Sequence, residues 1–368
     1  MKIDIAKNKK KIILSLYNKN IEIHPLWLRE RVNSSKYLDK NNGQRLYDPS
    51  KLNEHLKIKE ALIKKKLLNV HFTDGIKSKY KIKDLIDEIN KASNNKNILL
   101  WNSKIKNRPT YTYNKKMFEG TLGYKFLKNF YKYGFVIAKN TPTNKSFVTK
   151  FANSIGIVRA TNFGILFNVK SVKKPNDLAY TTHHLSAHTD NPYRKPIPGI
   201  QLLHCIKNDS IGGYSTLSDG FAVAEFLKKN YPIYFKSLTS IKIRFSYQSN
   251  QTYLENWGET IELDSNGFVK TIRLSPRLDY VPVLIRKKLD LFYKARSLFI
   301  KLCNSKKFMI KFKLSPGDIM LMDNYRTLHG RTSYNINIGQ RHLQGCYIDH
   351  DSAESKMKFL KKKLNINE

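Results

Sequence analysis

"AHTDNPYRKPIPG", residues 187–199, decides how this chain is read. A histidine and an aspartate stand two apart, and prolines follow at 192, 196 and 198. On a strand, residues i and i+2 point to one face, so His188 and Asp190 can offer an imidazole and a carboxylate to a single ion. His184 and His188 are also spaced like a zinc-binding pair on a helix. The prolines argue against a helix continuing there, which favours the strand. A His-x-Asp pair alone is common and more often marks two unrelated side chains than a site. Two histidines and one carboxylate on one face of an ion leave positions open, which suits non-haem Fe(II) and oxygen chemistry.

The missing ligand should be a distant histidine at another strand end. His204, in "GIQLLHCIK", is flanked by apolar residues and reads as a core histidine. His329, in "LSPGDIMLMDNYRTLHGR", comes after a strand and a turn and fits better. Arg341 follows His329 by 12 positions and falls on the next strand. There it could hold the far carboxylate of a dicarboxylic co-substrate by a bidentate pair, although alone it would read as a surface salt bridge. "SIGGYSTLSDGF", residues 210–221, adds hydroxyls at Ser215 and Thr216 after a Gly-Gly bend.

The bulk composition bounds the rest. A chain of 368 residues, 40% apolar and 12% aromatic, has material for a large core and one or two domains. Cysteines at 205, 303 and 346 form no CxxC pair and no disulfide framework, which fits a reducing compartment. The N-terminus lacks the apolar region and cleavage site of a signal peptide, and no run approaches the ~18 apolar residues of a spanning helix. These features read as a cytoplasmic protein without membrane attachment. The formal charge of +38 suggests a nucleic-acid binder. Yet lysine is spread along the whole chain with abundant Asn and Ile, which reads as composition and not as a binding patch. A diffuse positive field still favours small anionic ligands.

Residues 1–95 read as a small β-rich N-terminal domain closed by a helix at "KIKDLIDEINKA", and 96–368 as the larger domain. In the latter, "YKFLKNFYKYGFVIAKN" suggests a helix running into a strand at Gly134. "DGFAVAEFLKKN" begins a helix at an Asp-Gly turn, and "PVLIRKKLDLFYKARSLFIKLCNS" is a helical insert among strand-like runs. Short strands joined by Gly/Pro turns, with helices on one side, predict a mainly β, α+β jelly roll.

Taken together, His-x-Asp, the Gly-Gly-x-Ser segment, "LSPGD", "HGR" and the following arginine resemble the Fe(II)/2-oxoglutarate dioxygenases of the taurine dioxygenase superfamily. "DLAYTTHHLSAHTDNPY", "RHLQGCY" and the N-terminal "HPLWLRERV" with "NGQRLYDP" are similar to its γ-butyrobetaine hydroxylase branch. The resemblance spans nearly the whole chain and implies a double-stranded β-helix. It implies His188, Asp190 and His329 as iron ligands, with Arg341 and the Ser215 region holding 2-oxoglutarate, and O2 as the other substrate. Related hydroxylases are commonly dimers, so a homodimer is a further expectation. Family members often carry a structural zinc in the N-terminal domain. This chain has "ERVNSSKY" where the Cys cluster would lie, and Ile76 at the later His position, so no zinc is expected.

The branch encloses a trimethylammonium group in an aromatic cage. The matching positions are Phe163, Phe167, Tyr180 and Tyr347, with Asp177 nearby. Aromatic faces attract a quaternary cation that cannot donate hydrogen bonds. Phe163 and Phe167 are four apart and could share a helical face. At the other end the branch uses Asn side chains for the substrate carboxylate, and this chain departs from that pattern. One position corresponds to Asp177, and the other falls near Ser275, Pro276 and Arg277. Asn191, Tyr193 and Arg277 would form a donor-rich cradle, suited to a tetrahedral dianion at least as well as to a carboxylate. A structural salt bridge from Arg277 to Asp279 or another carboxylate is the plainer reading of that arginine, and a surface position that of Arg194.

These residues resemble 2-trimethylaminoethylphosphonate dioxygenases. The resemblance implies a small zwitterionic quaternary-ammonium substrate, hydroxylated at the carbon β to nitrogen, with succinate and CO2 formed. γ-Butyrobetaine and trimethyllysine are the alternative substrates. A basic nucleic-acid-binding protein on a jelly-roll scaffold is the alternative of another class; it would explain the charge but not the ligand set.

Overall fold

The computed structural model describes residues 2–16, 19–92, 98–170, 181–335 and 337–366. The chain divides into two compact units, Met1–Asn95 and Lys96–Glu368. In the first, strands Ile58–Lys64, Leu67–Phe72 and Lys77–Lys81 form an antiparallel meander followed by the helix Ile82–Ala92. Every second residue of Leu67–Phe72 is buried, as expected of a strand with one face on a core. Arg29 pairs with Asp74 at 2.7 Å, and Ile76 packs against the core that contains Leu28, Leu68 and Phe72.

The second unit is built on two facing sheets. The major one contains Ile200–Asn208 between Ile319–Asp323 and Arg341–Ile348, extended by Phe135–Lys139 and Phe167–Val169. The minor one has the order Leu185–His188, Thr327–Arg331, Ser215–Asp219, Met309–Phe312. Strands alternate between the two sheets over 185–219 and again over 309–348, on either side of an insert whose strands belong to neither sheet, the winding of a double-stranded β-helix.

Alternation along the strands fills the space on both sides. Leu203, Cys205, Met320, Met322 and Leu343 meet Leu217, Ile310 and Phe312 between the sheets. Ile200, Leu202, Ile319, Leu321 and Ile348 point the other way, onto Phe126, Phe130, Val148 and Leu360 of the helices Thr121–Tyr133, Phe147–Asn153 and His350–Lys363. The expectation of helices on one side is corrected here. Helices Gly220–Asn230, Pro232–Ser240 and Arg286–Cys303 cover the minor sheet through Leu227, Leu238, Phe292 and Phe299, against Ala187 and Leu328. The reason is that the inner residues of both sheets alternate with apolar outer ones, so each sheet needs its own cover. None of the described helices is long and apolar enough to cross a membrane.

Candidate active site

The strand Leu185–His188 ends at His188, and Asp190 sits in the bend that follows. Strand register supplies the third residue, because His188 lies directly opposite His329 in the minor sheet. The two imidazoles are 4.4 Å apart between centroids. Asp190 Oδ1 is 3.6 Å from His188 Nε2 and 3.7 Å from His329 Nε2. Among the described residues this is the one cluster of three or more His, Cys, Asp or Glu that could hold a metal ion.

The chemistry of the three donors suits a metal. His188 Nδ1 lies 2.8 Å from the Ser186 carbonyl, which can only accept, so Nδ1 donates there and Nε2 is the nitrogen that faces Asp190. Burial pushes the His329 imidazole down to about 4, against the pull of Asp190, and His188 and Arg277 add to the shift. It is therefore neutral near pH 7, the form that ligation requires. Burial also pushes the Asp190 carboxyl up, but His329, His188 and the Tyr347 hydroxyl outweigh it and hold the group well below the usual carboxylate range.

One cavity extends from this cluster. It is lined by Phe163, Phe167, Tyr347, Asn191, Tyr193 and Arg277, and also by Ser215, Gln201, Arg331 and Arg341. Asp177 and Tyr180 lie outside the described residues. The helical face expected for Phe163 and Phe167 is corrected. Phe163 sits in a turn bridged from Thr161 to Gly164, and Phe167 begins a strand. They reach one cavity because the chain doubles back, not because of helical pitch. Phe167 lies opposite Gly345, where a Cβ would come within 2.5 Å of the ring; the glycine makes room for it. The Phe167 and Tyr347 rings are 5.2 Å apart. Tyr247, itself not a lining residue, stacks on Tyr193 at 5.1 Å and meets Phe163 edge-on at 5.7 Å.

The polar residues differ in how their atoms are used. Tyr193 donates to Asn191 Oδ1 at 2.7 Å, which turns the amide so that Nδ2 is the free end. That Nδ2 is buried and has no partner among the described residues. Arg341 donates through Nε to the Gly213 carbonyl at 3.2 Å, while its buried Nη1 has no partner there. Gly213 has φ +63°, and a Cβ on it would come 2.8 Å from the Arg341 side chain, so the Gly-Gly bend both turns the strand and admits the arginine. Arg277 is exposed at the cavity lining; it is not without a partner, but that partner is not Asp279. Asp279 is held instead by Arg296, with Nε at 3.0 Å. Arg194 is half-buried and not a surface side chain: it donates to Asn162 Oδ1 at 2.6 Å and braces the turn that carries Phe163.

Sequence reasoning missed Gln201, Asn324 and Tyr247. Asn324 donates to the Asp190 carbonyl at 2.9 Å and accepts from its amide at 2.7 Å, fixing the backbone of the candidate ligand. Gln201 donates to Asp190 Oδ2. For Gln201 and Asn324 the available signal was a polar residue inside or just after an apolar strand, "GIQLLHC" or "IMLMDN".

A double-stranded β-helix with two histidines and an aspartate gathered at its open end is the scaffold of an iron-dependent oxygenase. Residues 112–347 match the profile of the Taurine catabolism dioxygenase TauD, TfdA family, and the chain belongs to that family. It is an Fe(II)- and 2-oxoglutarate-dependent dioxygenase. Among curated proteins it is 30% identical to the γ-butyrobetaine dioxygenase of Homo sapiens, over 95% of this chain and 94% of that protein. It is 35% identical to the γ-butyrobetaine dioxygenase of Pseudomonas sp. (strain AK-1), over 60% of this chain and 58% of that protein. It is 27% identical to the mitochondrial trimethyllysine dioxygenase of Mus musculus, over 91% of this chain and 82% of that protein.

Proposed function

We propose that this enzyme hydroxylates a small trimethylammonium zwitterion of the γ-butyrobetaine type. The observation that carries this reading is a single cavity with aromatic faces, anion-ready donors and the His188–Asp190–His329 cluster all on its wall. In this reading His188, Asp190 and His329 hold Fe(II), which with 2-oxoglutarate and O2 supplies the oxidising chemistry. Arg341 pairs through its unused nitrogen with the far carboxylate of 2-oxoglutarate, beside Ser215. Phe163, Phe167 and Tyr347 face the trimethylammonium group, whose charge they attract without hydrogen bonds. Asn191 Nδ2 and Arg277 receive the substrate's anion. The substrate is thus gripped at both ends, and its middle carbons are exposed to the metal.

The comparisons favour a carboxylate anion over the phosphonate expected from sequence, since relatives aligned along nearly the whole chain are named for γ-butyrobetaine and trimethyllysine. Arg277 at the cavity lining is the observation that keeps the phosphonate as a second reading. Fe(II)-dependent succinate formation, measured with γ-butyrobetaine, trimethyllysine and 2-trimethylaminoethylphosphonate in turn, separates them. The highest kcat/KM is expected for γ-butyrobetaine. A higher value for the phosphonate reverses the order, and no stimulation by any of the three rejects the substrate class.

A further inference from the structure

The Asp190 carboxylate has two differently used oxygens. Oδ1 faces both imidazoles, at 3.6 and 3.7 Å. Oδ2 faces the other way and accepts from the Tyr347 hydroxyl at 2.7 Å and from Gln201 Nε2. Both donors come from the major sheet, whereas the histidines come from the minor one. Gln201 and Tyr347 are direct cross-strand partners, so one register places both donors on the same inward face. Each is 4% exposed, so neither donor is there to meet solvent. A buried amide near the start of an apolar strand is costly unless it is bonded; here Nε2 bonds the candidate ligand, while Oε1 has no partner among the described residues.

We propose that Gln201 and Tyr347 are positioning residues that hold Oδ2 of Asp190, so that the carboxylate offers the metal Oδ1 alone. The proposal rests on the reading of His188, Asp190 and His329 as the iron site. A carboxylate free to turn can bind an ion through both oxygens. That second bond would take a position that the co-substrate or O2 needs. With Oδ2 held by two donors and the Asp190 backbone clamped by Asn324, neither rotation nor a shift of the loop brings it to the ion. Tyr347 also stands against Phe167 in the aromatic wall, so one side chain touches both the candidate cation site and the candidate ligand.

Titration of the metal-free full chain with Co(II), followed by its visible absorption, reads metal affinity and coordination without turnover. Tyr347→Phe keeps the ring and removes only the hydroxyl; Gln201→Met keeps the length and removes the amide. Each should weaken Co(II) binding about tenfold, the usual scale for losing an outer partner of a ligand, and change the intensity of the absorption bands. The double variant should lose more than either single one. Asp190→Ala should lose binding almost entirely, and metal-free unfolding curves identify any variant that fails to fold. Tyr347→Phe and Gln201→Met that both bind within about twofold of wild type, with unchanged spectra, overturn the positioning role alone. Wild-type protein that takes up no Co(II), or Asp190→Ala that binds like wild type, removes the metal site and the proposal with it.

Discussion

Arg326 and Arg341 are both buried in the catalytic unit, at 1% and 6% exposure, yet their surroundings differ sharply. Arg326 uses all three guanidinium nitrogens. Nε and Nη2 grip Asp219 at 3.0 and 2.7 Å, and Nη1 and Nη2 also bond the carbonyls of Lys132 and Leu99. Asp219 in turn accepts from the Trp101 and Phe221 amides. Arg341 has the Gly213 carbonyl on Nε and a buried Nη1 without a partner among the described residues. The first arginine closes a network that ties loops to the sandwich. The second holds a desolvated cation open toward the cavity, an arrangement that costs stability and is useful only if an anion arrives.

The contrast breaks if the two arginines behave alike when removed. Arg326→Met should destabilise the catalytic unit by about 3–5 kcal/mol, because Asp219 is left buried and uncompensated; denaturant unfolding measures it. Arg341→Met should leave the same unfolding curve within about 1 kcal/mol of wild type, since it removes an unpaired charge. It should instead cost ~2–5 kcal/mol of 2-oxoglutarate binding, at least about 30-fold in KM. Equal loss of stability in the two variants would end the distinction. Arg277 sharpens it from the other side, as an arginine at the cavity lining that remains exposed to water. Arg277→Ala should raise the KM of the zwitterionic substrate only about fivefold and leave that of 2-oxoglutarate unchanged, as expected of a solvent-screened pair.

This difference was not legible in the sequence. Both arginines sit in short polar stretches between apolar runs, and only the fold shows which one meets Asp219. The candidate ligands were more accessible, because His-x-Asp, a late His-Gly and a following arginine constrain one another even at long separation. The jelly roll was legible because buried strands leave continuous apolar runs punctuated by Gly and Pro. What escaped was anything set by register. Gln201 reaches Asp190 only because it is paired with Tyr347 across two strands, and a lone glutamine in "GIQLLHC" cannot announce its neighbour. Phe163 and Phe167 show the opposite error, since a spacing of four also arises when a turn folds back before a strand.

Recognition of the substrate's cation by aromatic faces can be isolated by changing one atom of the substrate. Succinate formation should be measured with γ-butyrobetaine and with its uncharged-head isostere, 5,5-dimethylhexanoate, which has the same shape and the same carboxylate. Replacing nitrogen by carbon should lower kcat/KM by about tenfold or more, the scale of a desolvated cation–π contact. Equal turnover of the two compounds would contradict it.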